Sequence, residues 1–416
     1  MSDGGAGSVL IAAGHVVQPG GILSPGWIGV SGGRIEEIGA GAPPAPAAHA
    51  AAYALPGFID MHVHGGGGAS FTEGTPDDAR QAAAFHRAHG TTRIIASLVA
   101  APLEELRRRA RMLASLAEAG VIDGIHLEGP FLSAARCGAQ NPRYLTAPSV
   151  DAFHELHEAA RGWLKMITIA PELPGALGVI RAAADAGVIA AAGHTDASAE
   201  VTAAAVDAGV THATHLFNGM RPLGHREPGP PGALLDGPHV TCEVIADGTH
   251  LHDMTVRLVA RAAGPGNLVL ITDAMAAAGM PDGDYRLGEL AVTVSGGVAR
   301  LSAPDDGRPS RTAPATGAIA GSTATMELVV HRAIASAGLD VTDVAAAAST
   351  TPARRLGLAA ETGSLTPGLS ADLVLLDEDF RLTAVMASGH WTLCGYDILS
   401  TGRHSRNADA RMRVLD

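Results

Sequence analysis

From Leu55 onward the chain repeats one pattern: an apolar run of strand length, a polar turn, and an amphipathic helical stretch that stops at a glycine. Eight strand candidates follow one another at 57–64, 92–98, 124–131, 166–172, 188–194, 211–217, 241–246 and 268–273. The helical stretches between and beyond them stop at Gly90, Gly120, Gly187, Gly209, Gly264 and Gly338, where a left-handed cap suits a residue without a Cβ. Helix starts are visible in Thr75-Pro76-Asp77-Asp78 and Ser149-Val150-Asp151, a capping residue followed by acids. Eight β-then-α units predict an α/β fold of the TIM-type, a (β/α)8 barrel.

The flanks read differently. Short β-type runs at 8–12, 15–17, 27–31 and 34–38 precede a Pro/Ala-rich connector at 41–51, and β-type sequence returns beyond Thr351. The expected layout is a small β-sandwich built from both termini (1–54 and 351–416) around a catalytic barrel at 55–350. About fifty Gly/Pro/Asp-rich, hairpin-like residues after Asp273 interrupt the last unit and are expected to cover the barrel mouth. The polar tail after Ser400 reads as loosely held.

Barrel sites collect at the C-terminal ends of strands, so those ends carry the functional argument. The first strand candidate ends in His62-Val63-His64 before four glycines; on a strand both imidazoles point the same way and can close on one metal ion. Glu128, His194, His215 and Asp273 stand at four further strand ends. Ligand-type residues at five ends of one barrel point to a mono- or dinuclear divalent-metal hydrolase. Composition sets the outer limits. A net charge of −13 argues against nucleic-acid or anionic-membrane partners, so an anionic substrate needs a local positive pocket. Three cysteines, Cys137, Cys242 and Cys394, are odd in number and without metal-type spacing, and read as free thiols. The opening MSDGGAGSVLIAAG has neither a basic start nor a long apolar run, which leads to the expectation of a cytoplasmic protein.

Pro-Gly-Phe-Ile-Asp-Met-His-Val-His64, His-Leu-Glu128-Gly-Pro-Phe, Ala-Pro-Glu172, Gly-His194-Thr, Thr-His215-Leu-Phe-Asn-Gly-Met220, Ala-Asp-Gly-Thr-His250 and Thr-Asp273-Ala-Met resemble the N-acetylglucosamine-6-phosphate deacetylases of the amidohydrolase superfamily. The match runs from about Leu55 to the Ala-Asp-Leu-Val motif ending at Val374. The resemblance implies metal binding by Glu128, His194 and His215. Many dinuclear relatives bridge their metals with a carboxylated lysine, but the chain's one lysine, Lys165, starts its strand, which leaves Glu128 as the candidate bridge. With His62 and His64 both present, the chain offers a second site shared with Asp273, for one or two ions per subunit. Zinc is the first candidate, with iron, manganese and cobalt suiting the same donors. The resemblance further makes Asp273 the residue that takes a proton from water and returns it to the departing sugar amine. It gives substrate contacts to Gln140, Asn218, Gly219, Arg226 and His250, and implies a homodimer. Gln140 stands where relatives often have histidine, and Gly219 where they often have alanine. The galactosamine epimer, a cyclic amide or N-acyl amino acid substrate, and a catalytically silent metal-binding scaffold are the alternatives. His86, His89, His126, His212 and His239 read as structural or surface residues.

Overall fold

The structure, a computed structural model, describes residues 8–302 and 317–393; Cys394 and the polar tail lie outside them. Eight parallel strands pair in chain order: β1 (Phe58–Val63), β2 (Thr91–Val99), β3 (Gly124–Glu128), β4 (Leu164–Ile169), β5 (Ile189–Ala192), β6 (Val210–Ala213), β7 (Thr241–Val244) and β8 (Leu268–Leu270). The ring is completed where Val63 bridges Ala274, with Asp273 N–H donating to His62 O at 2.9 Å and His64 N–H to Ala274 O at 2.8 Å. Apolar residues inside β1, β2, β4, β5 and β8 fill the barrel, among them Ile59, Met61, Ile95, Met166, Ala191 and Val269. A helical run from Val341 to Arg355 closes its lower end through Ala353.

The helices begin and end where the sequence says. Thr75 caps Pro76–Ala88 with a reciprocal bond to Asp78, Ser149 caps Val150–Ala159, and all six stop glycines have positive φ. The helix Leu103–Glu118 turns Leu106, Ala110, Leu113 and Ala117 inward, a 3.6-residue stripe that packs it on the barrel. Strands β5, β6 and β8 stop two to four residues earlier than their apolar runs, because His194, His215 and Asp273 take left-handed φ values of 47°, 29° and 49° that an extended ladder cannot hold.

The terminal sheet joins both chain ends. Its strands are Val9–Gln18, Gly21–Leu23, Gly26–Ser31, Arg34–Ala40, His49–Pro56, Leu373–Leu376, Leu382–Ala387 and His390–Leu393. The join is His49–Pro56, parallel to Val9–Gln18 on one side and antiparallel to Leu373–Leu376 on the other. It begins inside the expected connector. The two expected runs at 8–12 and 15–17 form one strand, since Gly14 is not a break but a close approach: a Cβ there would lie 3.0 Å from Ala52 O. The sheet curls around Ile11, Ile28, Ile35, Leu373 and Met386, bringing its Gly33 turn against the Ser388–Gly389 turn.

The insertion after Asp273 forms an antiparallel sheet of Gly283–Leu287, Leu290–Ser295 and Val298–Leu301. Leu287, Val292 and Leu301 pack with Met275, Val99 and Ala320, so the sheet sits beside the barrel mouth.

Candidate metal centre

Six ligand-type side chains meet at the C-terminal end of the barrel in two buried groups, Glu128/His194/His215 and His62/His64/Asp273, with the ligand atoms of each group within 4.8 Å of one another. Glu128 belongs to both. Its Oε1 lies 2.9 Å from His194 Nε2 and 2.8 Å from His215 Nε2, while Oε2 lies 3.2 Å from His64 Nε2. His64 Nε2 is 3.3 Å and His62 Nε2 3.6 Å from Asp273 Oδ1. Within each group two Nε2 atoms approach to 3.2 Å (His62, His64) and 3.1 Å (His194, His215). Lone pairs that converge this closely, with carboxylates between them, form two groups that could each hold a divalent cation. Lys165 is the second residue of β4, at the end of the barrel opposite these side chains.

Charge tells the same story. Burial works against a protonated His64, yet bonds from Asp273 and Glu128 lift its pKa to about 9. Burial is likewise outweighed at His62 and His194, whose pKa values rise beside Glu128. Glu128 itself, which burial would raise, is held well below the usual carboxylate range by His62, His194 and His215. The centre therefore demands positive charge, which protons meet in part and a metal ion meets fully.

Three of the six candidate ligands, His194, His215 and Asp273, sit in left-handed backbone, a strain that is maintained by their surroundings. His194 Nδ1 donates to Arg136 O at 2.9 Å, and His62 Nδ1 to Glu243 Oε2 at 3.1 Å, which turns both Nε2 atoms inward. Glu243 was invisible to the sequence reading. Fully buried, it also accepts from His215 N–H at 2.9 Å and from His212 Nε2 at 2.9 Å, tying both groups together. The available signal was an acid inside an otherwise apolar strand, Thr241-Cys-Glu-Val244. Asp60 was missed too. It accepts from Thr272 Oγ1 at 2.5 Å across the β1/β8 closure, and burial pushes its pKa up to about 7.

Beside the centre opens a cleft of about 240 Å³ lined by His64, Glu128, Gln140, His194, His215, Asn218, Gly219, His250 and Asp273. Leu287, Ala318 and Ile319 from the insertion form its outer wall, so that segment does border the site. Gly219 has φ +60, and a Cβ there would meet His194 Nδ1 at 2.8 Å, so glycine lets the loop lie against the ligand. His250 Nδ1 bonds Asp247 Oδ2 at 2.8 Å; despite burial this carboxylate raises the His250 pKa and leaves Nε2 as its other polar atom. Arg226 is exposed and outside the lining set, with no hydrogen bond or ion pair to it among the described residues. Of the remaining histidines, His126 is held between Ser97 and Thr168, His86 on Gly65 O and His89 on Phe85 O, while His239 is exposed. Cys137 and Cys242 are free thiols.

Residues 53–392 match the sequence model of the Amidohydrolase family. The N-acetylglucosamine-6-phosphate deacetylase of Bacillus subtilis (strain 168) is 33% identical over 397 residues, covering 92% of this chain and 97% of that one. The chain belongs to this metal-dependent family, in its deacetylase branch. A solved structure of a variant N-acetyl-D-glucosamine-6-phosphate deacetylase from Mycobacterium smegmatis, in complex with N-acetyl-D-glucosamine-6-phosphate, superimposes with a TM-score of 0.87 at 45% identity, covering 93% of this chain and 99% of that chain. An N-acetylgalactosamine-6-phosphate deacetylase of Escherichia coli O157:H7 is also similar, 34% identical over 338 residues, 80% of this chain and 86% of that one.

Proposed function

We propose that this protein hydrolyses N-acetyl-D-glucosamine 6-phosphate to D-glucosamine 6-phosphate and acetate. The observation that carries the reading is Glu128 shared between two imidazole pairs with Asp273 alongside, at the floor of a polar cleft. His194, His215 and Glu128 would hold one divalent ion, and His62, His64 and Asp273 a second; zinc suits these donors best. A bound ion polarises the acetyl carbonyl and lowers the pKa of water toward neutrality.

The chain's own groups supply the proton traffic. Asp273 is buried, yet His62 and His64 hold its pKa below the ordinary value, so at neutral pH it is a carboxylate ready to accept a proton from the attacking water. As the water oxygen bonds the acetyl carbon and the carbon–nitrogen bond breaks, Asp273 passes that proton to the sugar nitrogen. The free amine and acetate leave. His250, whose pKa Asp247 raises against the effect of burial, together with Asn218 and the Gly219 backbone, receives the sugar phosphate.

Arg226 fits a role across a subunit boundary. It shares an exposed loop with Leu223, and Met254 and Leu258 are exposed one helical turn apart, a surface suited to a second copy in a homodimer. Among the described residues no helix is long and apolar enough to cross a membrane, and the free thiols Cys137 and Cys242 suit the cytoplasm.

Acetate release from the 6-phosphate, from its unphosphorylated form and from the galactosamine epimer tests the reading, on metal-loaded wild type and Asp273→Asn. Phosphate-dependent release that falls by about 100-fold or more in the variant is expected. Release equally fast without phosphate, or faster from the epimer, would shift the substrate while leaving the hydrolase centre in place. The epimer is the second reading because the similar Escherichia coli enzyme acts on it by name.

A further inference from the structure

Gln140 is 3% exposed in the loop after β3, and it joins a main-chain donor to the shared carboxylate. Ala100 N–H can only donate, so its 2.8 Å bond fixes the amide oxygen of Gln140. The amide nitrogen is thereby turned onto Glu128 Oε2, at 2.6 Å. Both ends of the amide are engaged in holding protein, which is a different task from contacting a sugar.

The donor lands on one carboxylate oxygen and not the other. Oε1 meets His194 and His215 at 2.9 and 2.8 Å, with His62 Nε2 farther off at 3.6 Å, whereas Oε2, the oxygen facing His64 at 3.2 Å, carries the Gln140 N–H. A charge-assisted bond of this length draws electron density from the oxygen that accepts it and locks the carboxylate plane. Oε1 is thus presented undiminished to the His194/His215 group, and Oε2 is a weakened ligand for the His62/His64/Asp273 group.

We infer that Gln140 is a positioning residue that makes the two metal groups unequal, setting a tight first site at Glu128/His194/His215 and a weaker second one. The inference rests on the metal-dependent reading above. Its physical basis is a neutral side chain whose orientation is dictated from outside the centre by Ala100.

The test is stepwise titration of the metal-stripped full chain with Zn2+ against a competing chelator, on wild type and Gln140→Met, which keeps length and removes the donor. In wild type the first ion should bind at least about tenfold tighter than the second, and in the variant that ratio should narrow by about 10-fold or more through a tighter second step. Gln140→Asn, one methylene too short to span Ala100 to Glu128, gives the same narrowing should the methionine variant not fold. His64→Ala should abolish the second step and spare the first. An unchanged or wider ratio in both Gln140 variants, or loss of the tight step in His64→Ala, overturns the inference while leaving the hydrolase reading intact. Wild type that binds no divalent ion overturns both.

Discussion

Glu243 offers the sharpest test of how the centre is held. Its two oxygens accept from His62 Nδ1, His212 Nε2 and His215 N–H, all buried. Glu243→Leu leaves three donors without a partner, at about 1–3 kcal/mol each, so a loss of about 3–9 kcal/mol is expected. That is comparable with a typical folding free energy of about 5–15 kcal/mol. Glu243→Gln should be far milder. Its amide oxygen can keep His62 and His215, and its NH2 can donate to His212 Nε2 once the His212 proton moves to Nδ1, which lies 2.5 Å from Thr241 Oγ1. What glutamine cannot restore is the negative charge behind His62, so metal affinity should fall about 10–100-fold with the fold retained. Urea denaturation of the metal-free proteins, paired with chelator-competition affinities, separates the two effects. Wild-type stability in Glu243→Leu, or wild-type affinity in Glu243→Gln, would refute the reasoning.

Metal loading at pH 7.5 should release protons, because His64, with a pKa of about 9 in the metal-free centre, is charged there and must lose its proton to ligate; titration calorimetry in buffers of different ionisation enthalpy counts them. Asp247→Asn should raise KM for the phosphorylated substrate as pH climbs through about 6.5, a rise that wild type postpones because Asp247 lifts the His250 pKa above that value. In stability terms the His250 contribution is complete below its unfolded pKa and lost as pH rises through the lifted one; superimposable KM profiles would contradict the assignment. Arg226→Ala should weaken the phosphorylated substrate alone if that side chain reaches a neighbouring copy, and sedimentation of Leu223→Asp/Met254→Asp should show a monomer with the same defect.

Periodicity alone determined the barrel, because eight apolar runs punctuated by helix-stopping glycines admit few other packings, and the residues at the run ends announced a metal centre. The pairing of His62 and His64 on one face was legible because strand alternation is a local rule. The tertiary structure decided everything that depends on residues far apart in sequence. Gly14 looks like a break until Ala52 packs against it, and His49–Pro56 looks like linker until strands from both chain ends pair with it. Glu243 reads as an isolated acid in an apolar strand until β1 and β6 bring it His62, His212 and His215. Arg226, a substrate contact by resemblance, stands outside the cleft of its own chain. The reason is common to all four: hydrophobic period and capping act over a few residues, whereas what a distant segment packs against or faces is chosen by which strands and loops the tertiary fold sets side by side.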